Sequence, residues 1–482
     1  MTLCAANLLA VAPSAYAPTM PRALPPFAAL LVLLLTARAS ANGAYSHVHM
    51  SQLAVTQLPP GELRDLFDDP EVFAALEAGS MFPDSGYAAD DPYGEIAHWE
   101  PFLHAYLEDL RTRYAGDYSS HEAKLRIAFL LGFAAHGIED QSYDTTLLAR
   151  AFESGDTEVE GLSFDQLADY FLTIDQGISF TVDDPYAPYA DLPSVIANGP
   201  EAHDVTEAVV RDGMDRMATV IRLQGNARLV RTWYLTGWEH YPFLGTHYYD
   251  AAAVGSVPWL AALLVTYWRV LWDRLLQTDQ PTRDLLIHSV PEDGATNWNV
   301  DLAESRAWGR IALFFGYAID RDIVAPSITL RDASGTAVPT TFETAYGGRD
   351  RNLLHVVPSA TLAYDSDYTV EIAAGASTLF GETTDAPISF SFRTRCAPDR
   401  LSDCPPLPPP LVPGPMPMRD AGVPRSDAGT PTVDAGTPPA TPPSTDGGCR
   451  CAMVRSDDSA PTLLALLALS AVVLRSRRRR AR

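Results

Sequence analysis

Apolar residues recur at three- and four-residue spacing through long stretches of the first half of the chain, among them Glu122 to Leu148 and Val205 to Ile221, with no strand-like alternation between them. That is the period of an α-helix, and residues 42–285 are read as a helix bundle. Within it Ser119-x-x-Glu122 forms a capping box that predicts a helix from Lys124 to Asp144, and the apolar run Ile127 to Ala135 marks it as a buried core element. After Pro281 the texture changes. Ile328 to Leu330, Leu353 to Val357, Tyr368 to Ile372 and Ile388 to Phe392 are short β-rich runs separated by turn signals such as Ala333-Ser334-Gly335, and they predict a β-sandwich over residues 286–395.

Both ends of the chain differ from these two regions. Arg22, the apolar run Phe27 to Leu35 and Ala39-Ser40-Ala41 follow the order of a secretory signal that starts at Met20. Residues 1–41 are therefore read as leader and signal peptide, and signal peptidase is expected to leave Asn42 as the mature N-terminus. Residues 396–448 form a linker rich in Pro, Ala and Asp, in which Asp-Ala-Gly recurs at Asp420, Asp427 and Asp434; such a composition buries too little surface to fold. Cys396 and Cys404, at its start, are expected to pair in an oxidising compartment. Residues 449–482 hold Cys449 and Cys451, an apolar run from Pro461 to Leu474 and an arginine cluster. As a helix that run measures about 21 Å, short of a bilayer core of about 30 Å. The order resembles a MYXO-CTERM sorting tail, with either cysteine as the processed residue, which implies an exported protein held at the cell surface or outer membrane by a C-terminal anchor and open to release by a sorting protease.

Composition narrows the chemistry. Among 482 residues, 60 acidic side chains against 35 basic ones leave a formal charge of −25, which repels nucleic acid, while 47% hydrophobic residues exclude a mainly disordered chain. The five cysteines are Cys4, Cys396, Cys404, Cys449 and Cys451, so residues 5–395 hold no thiolate site, and metal chemistry there must use His, Asp and Glu.

The informative segment runs from Leu131 to Asp144. His136, Asp140 and Asp144 stand at i, i+4 and i+8, on one face of a helix that is otherwise apolar. Burying three ionisable groups is costly unless something neutralises them, and Arg126, the cation that precedes them, is distant. A metal ion answers this need; a core histidine beside salt-bridged aspartates is the alternative. Upstream lie Ser46-His47-Val48-His49, Phe82-Pro83-Asp84 and Ile96-Ala97-His98-Trp99, each a weak signal alone.

Taken in order, Ser46 to Val55, Glu77 to Tyr87, Ala97 to Tyr106 and Ala123 to Asp144 resemble the zinc-dependent phospholipase C/D family, on the side of its glycosylphosphatidylinositol-specific phospholipase D catalytic domains. The resemblance implies an all-α bundle with a tri-metal cluster. Asp84, His98, His136 and Asp140 would hold one Zn²⁺. Asp140 would bridge to a second, completed by His47 and by the amino and carbonyl groups of Asn42, which stands five positions before His47. Two histidines of the family's third site appear here as aspartates, so Asp144, Asp165 and Asp169 would form an oxygen-only site favouring Mg²⁺, Mn²⁺ or Ca²⁺. His203 and Glu207 are the competing pair for that site. Asp84 is the implied general base. The activity implied is hydrolysis of phospholipid or glycosylphosphatidylinositol headgroups at the cell surface, with no nucleic acid partner; a single-strand-specific zinc nuclease and a non-catalytic adhesin are the alternatives. Pro291 to Ala295 and Ser389 to Thr394 resemble the ends of a bacterial Ig-like domain, a kind of module that mostly serves as spacer or adhesive element.

The expected role of Asn42 is directly testable. A free α-amine titrates near about 7.7–8.0 and can give up its proton to a metal, which a peptide nitrogen cannot do. A chain extended by one residue before Asn42 is predicted to keep its helicity in circular dichroism and to lose most phosphodiesterase turnover. Equal turnover of the extended and Asn42-starting chains would remove the amine from the ligand set.

Overall fold

The computed structural model describes residues 43–157, 164–300, 310–344, 351–397 and 399–400, all within one compact unit, Ala37–Met418. Asn42, Cys404, the leader and the anchor segment lie outside them, as does nearly all of the linker.

The helical region is built from α1 (Ala44–Gln57), α2 (Pro70–Ala89), α3 (Glu100–Tyr114), α4 (His121–Tyr143), α5 (Phe164–Asp175), α6 (Glu207–Gln224), α7 (Ala227–His240) and α8 (Val257–Leu276), joined by shorter turns. α4 is its axis. Every residue from Arg126 to Tyr143 is buried, because α1, α2, α3 and α8 surround the helix and leave it no polar face. α2 crosses α4 at backbone distance: a Cβ at Gly132 would lie 2.3 Å from the Leu76 carbonyl oxygen, so only glycine permits the approach. Phe82, Phe102, Tyr106, Phe129 and Phe133 fill the space around the crossing, and Trp268 on α8 donates its indole N–H to the Leu131 carbonyl at 2.9 Å. The start of α4 differs from the expected capping box. Ser120 is the cap and accepts from the Ala123 N–H at 3.2 Å, whereas the Ser119 hydroxyl is taken by Asp117 at 2.7 Å. Beyond Tyr143 the helix widens into a π turn, Asp144–Leu148, before Ala149–Glu153 resumes the α pitch.

Among the described residues nine strands follow: β1 (Leu286–Val290), β2 (Ala295–Trp298), β3 (Ile311–Phe315), β4 (Ile328–Asp332), β5 (Ala337–Val338), β6 (Thr340–Glu343), β7 (Leu353–Pro358), β8 (Asp367–Ile372) and β9 (Ile388–Thr394). They form one sheet of order β1-β3-β7-β6 and a second of order β2-β9-β8-β4-β5, antiparallel except for the parallel β2–β9 pair. β4, β7, β8 and β9 fall on the four runs read from sequence. β3, all five of whose residues are buried, lies outside those runs. Ile311, Leu313 and Phe315 join Leu330, Leu354, Val356, Val370 and Phe390 in the sandwich core. The opposite face of the same sheet meets the helices, with Trp259 of α8 packed 5.3 Å from Phe314 and 5.1 Å from His288 of β1. The sandwich is thus docked on the helical region.

Two histidines of that docked sheet govern its response to acid. Burial pushes His288 down to about 4; burial, with the charges of Arg310 and Arg150 behind it, pushes His355 down to about 3. An unfolded chain takes these protons near about 6.5, so below that pH the unfolded state binds more protons and stability falls as pH drops. Each histidine is predicted to remove on the order of 3 kcal/mol by pH 4. Thermal midpoints of the wild type between pH 7 and 4.5 should show the decline, and His355→Leu should flatten it; an unchanged slope would exclude this residue as a source.

Candidate metal centre

Three helical elements bring ionisable groups together at one end of α4. α1 supplies His47, α2 supplies Asp84, the turn before α3 supplies His98, and α4 supplies His136 and Asp140. The small residues set this up. A Cβ at Gly137 would lie 2.5 Å from the His98 carbonyl oxygen, so the His98 turn rests directly on the α4 backbone beside His136.

Each imidazole is held by its Nδ1. His136 Nδ1 donates to the Ser80 carbonyl at 2.7 Å and His98 Nδ1 to the Gly94 carbonyl at 2.6 Å. A carbonyl cannot donate, so Nδ1 carries a proton in both rings, and in the neutral form of each ring Nε2 carries a lone pair. His47 Nδ1 meets Glu139 Oε2 at 2.5 Å, which leaves its Nε2 facing Asp140 Oδ1 at 3.0 Å. The Nε2 atoms converge: His136 Nε2 is 3.0 Å from His98 Nε2 and 3.4 Å from Asp140 Oδ2, and Asp140 Oδ2 is 3.6 Å from His98 Nε2. Asp84 Oδ1 stands 3.7 Å from His98 Nε2 and 3.8 Å from His136 Nε2, beyond hydrogen-bonding range.

The charges follow from this crowding. Burial acts to lower His47, yet Asp140 and Glu139 together hold its pKa well above the ordinary value. Burial and the neighbouring His47 charge push His136 down. Burial acts to raise Asp140 and Asp84, and the surrounding imidazoles outweigh it and hold both below the usual carboxylate range. Burial pushes Glu139 up to about 7.

This donor set fits zinc. Lone pairs 3.0 Å apart repel unless a cation lies between them, and two ligands of a tetrahedral zinc at 2.0–2.1 Å stand about 3.3 Å apart, within the spread of separations here. Two groups have all their ligand atoms within 4.8 Å of one another: His47, His136 and Asp140, and Asp84, His98 and His136. Of the six residues expected around the first two metals, the five that are described therefore meet, with His136 common to both groups, and Asn42 lies outside the described residues.

The oxygen-only set does not close in the same way. Asp144, Asp165 and Asp169 all act on the Tyr143 hydroxyl, but they form no such group among the described residues. Asp169 is occupied as the cap of α1: its carboxylate accepts from the Ser46 N–H at 2.9 Å, the Tyr45 N–H at 3.4 Å and the Ser46 hydroxyl, which also accepts from the Tyr248 hydroxyl at 2.6 Å. The competing pair is placed elsewhere, with His203 on Asp91 at 2.9 Å and Glu207 on Arg211. Glu139, absent from the sequence reading, orients a candidate ligand; its signal was the i+3 position after His136, which shares a helix face as i+4 does.

These roles separate by experiment. Glu139→Ala is predicted to weaken zinc binding by about 10–100-fold, as loss of an outer partner of a ligating histidine does. Asp169→Ala should cost about 1–2 kcal/mol of stability through the lost helix cap and leave zinc content at the two groups unchanged. Loss of zinc in the Asp169 variant alone would make that carboxylate a ligand.

The family model described as zinc dependent phospholipase C matches residues 46–142, and that described as bacterial Ig-like domain matches residues 280–394. Phosphatidylinositol-glycan-specific phospholipase D from Rattus norvegicus is 30% identical over 133 residues, 26% of this chain and 15% of that protein. The Dictyostelium discoideum protein of the same name is 28% identical over 193 residues (37% and 20%), and that of Homo sapiens 32% over 135 residues (26% and 16%). The chain thus spans a fifth or less of the length of these curated relatives. Among solved structures, surface layer protein SbsC, domains 1–6, aligns with 73% of this chain and 33% of its own at 11% identity, and the TM-score of 0.19 carries no argument about fold. The helical half of this chain is therefore similar to the zinc dependent phospholipase C family over residues 46–142, and the sheet half to the bacterial Ig-like domains over residues 280–394.

Proposed function

We propose that this protein is an exported, surface-anchored zinc phosphodiesterase acting on phospholipid or glycosylphosphatidylinositol headgroups. The observation that carries the reading is the convergence of imidazole Nε2 lone pairs and two carboxylates at one buried point, held there by Nδ1 hydrogen bonds. Asp84, His98, His136 and Asp140 would hold one zinc, and Asp140 together with His47 the other, with Asn42 and a third, harder ion as further expected members of the cluster. Bound zinc supplies a Lewis acid for phosphodiester oxygens and lowers the pKa of water.

The residues divide the remaining work. Among the five, Asp84 has the most accessible side chain, 13% exposed against 7% or less for the others, so water and substrate reach the cluster at its carboxylate. A proton from the attacking water would pass to Asp84, whose Oδ1 has no hydrogen bond to give up. Ser80, Gly94 and Glu139 keep the three rings from turning as charge shifts. The signal at residues 20–41 and the tail at 449–482 support export and anchoring, with signal peptidase and a sorting protease as partners; among the described residues no helix is long and apolar enough to cross a membrane.

Wild-type protein is predicted to copurify with about two firmly held zinc ions and to hydrolyse a phosphodiester headgroup substrate. His136→Ala and Asp140→Ala should lower both zinc content and turnover, the latter by more than about 100-fold, since outer-shell losses alone cost about 10–100-fold. Cleavage of single-stranded DNA in preference to phosphatidylcholine would point to the nuclease branch. Full metal content with no hydrolysis of either would leave the adhesin reading.

A further inference from the structure

We propose that Asn352, a residue of the β-sandwich, is a positioning residue for the metal centre; the proposal rests on the reading of His98, His136 and Asp140 as ligands. Asn352 immediately precedes β7 and is 1% exposed. β3 fixes it from both sides, for its carbonyl accepts from the Phe315 N–H at 2.8 Å and its side-chain amide donates to the Phe315 carbonyl at 3.1 Å. From this rigid seat it reaches two separate segments of the helical region. Its side-chain amide donates to Glu100 Oε1 at 3.1 Å, and its main-chain N–H donates to Gln141 Oε1 at 3.0 Å.

Those contacts lie next to the ligands. Glu100 opens α3 two residues after His98, and Gln141 directly follows Asp140 on α4. Gln141 returns a hydrogen bond to the Gly137 carbonyl at 3.0 Å, at the position where α4 touches the His98 backbone. One asparagine therefore ties the His98 segment to the segment bearing His136 and Asp140. Glu100 is further fixed by the Tyr267 hydroxyl at 2.5 Å and by Arg274, 3.8 Å away, both on α8. Glu100, Gln141, Tyr267, Arg274 and Asn352 are all buried.

A polar network of this kind is a poor way to glue two regions together. Buried ion pairs and amides contribute little net stability relative to well-packed apolar residues, and what they add is a defined geometry. Here the geometry defined is the separation of two ligand-bearing elements. The Ig-like sandwich would then complete the catalytic unit, and zinc affinity would depend on a residue in a domain that holds no ligand.

The experiment uses the full-length chain carrying Asn352→Asp, which sets a carboxylate against Glu100, together with the double variant Asn352→Asp, Glu100→Gln. Zinc affinity is read by chelator competition, kcat and KM with a phosphodiester substrate, and folding by circular dichroism and the thermal midpoint of metal-free protein. Asn352→Asp is expected to weaken zinc binding about 10–100-fold and to lower kcat with little change in KM, and the double variant to recover most of both. Should Asn352→Asp fail to fold, Gln141→Met removes only the second arm and is expected to weaken zinc binding several-fold. A lower midpoint with wild-type zinc affinity and kcat means a purely structural contact and overturns the proposal. Wild-type protein that binds no zinc overturns the metal reading, and this one with it.

Discussion

A peptide carbonyl can accept a hydrogen bond and cannot give one, and the buried cluster depends on that asymmetry. Ser80 and Gly94 each present a carbonyl to the Nδ1 of a histidine, so the proton has one place to be and the Nε2 of each ring is left as a naked acceptor. Moving either proton to Nε2 would set two acceptors, Nδ1 and the carbonyl oxygen, against each other. For the Ser80 carbonyl to be within reach, α2 must lie against α4 at backbone distance, which Gly132 allows, and Gly137 lets the His98 turn rest beside it. Packing at this level of closeness thus decides the protonation state of the site. A side chain as small as alanine at position 137 would separate the His98 turn from α4 and loosen the tautomers with it.

The same closeness concentrates negative charge. Asp84, Glu139 and Asp140 surround the three imidazoles, of which burial pushes His136 toward its neutral form, in a chain whose formal charge is already −25. A phosphodiester would be repelled by almost any part of such a surface. Divalent cations at the cluster would reverse the local sign, so under the proposed function the strongest attraction for an anion would fall at the cluster and the acidic remainder would work against binding elsewhere.

The residues legible in sequence were those whose chemistry is local. His136 and Asp140 declared themselves as costly groups on an apolar helix, and four strands declared themselves as β-rich runs between turn signals. β3, buried along its whole length, lies outside those runs. Ser80 and Gly94 act through the backbone, which every residue possesses, so no side-chain pattern marks them. Asp169 was misleading for a different reason. A carboxylate one helical turn after Asp165 matches a ligand pair, and only the tertiary fold shows that the N-terminus of α1 comes to meet it. Asn352 lies more than 200 residues from the segments it joins, beyond the reach of any local pattern.

The two covered faces of β3 bear on how such a protein can be assembled from parts. Ig-like modules are commonly strung as beads, added or lost without disturbing their neighbours, and that freedom requires an outer sheet face that tolerates water. Here the outer face carries Phe314 and His288 against Trp259, so a fragment ending before β1 would bare an indole and a strip of apolar helix, and a sandwich cut free would bare the matching sheet. Either piece alone would tend to associate with itself. In this chain the two modules can be inherited only as a pair, and a recombination point between residues 285 and 286 is closed to it by the physics of the exposed surface.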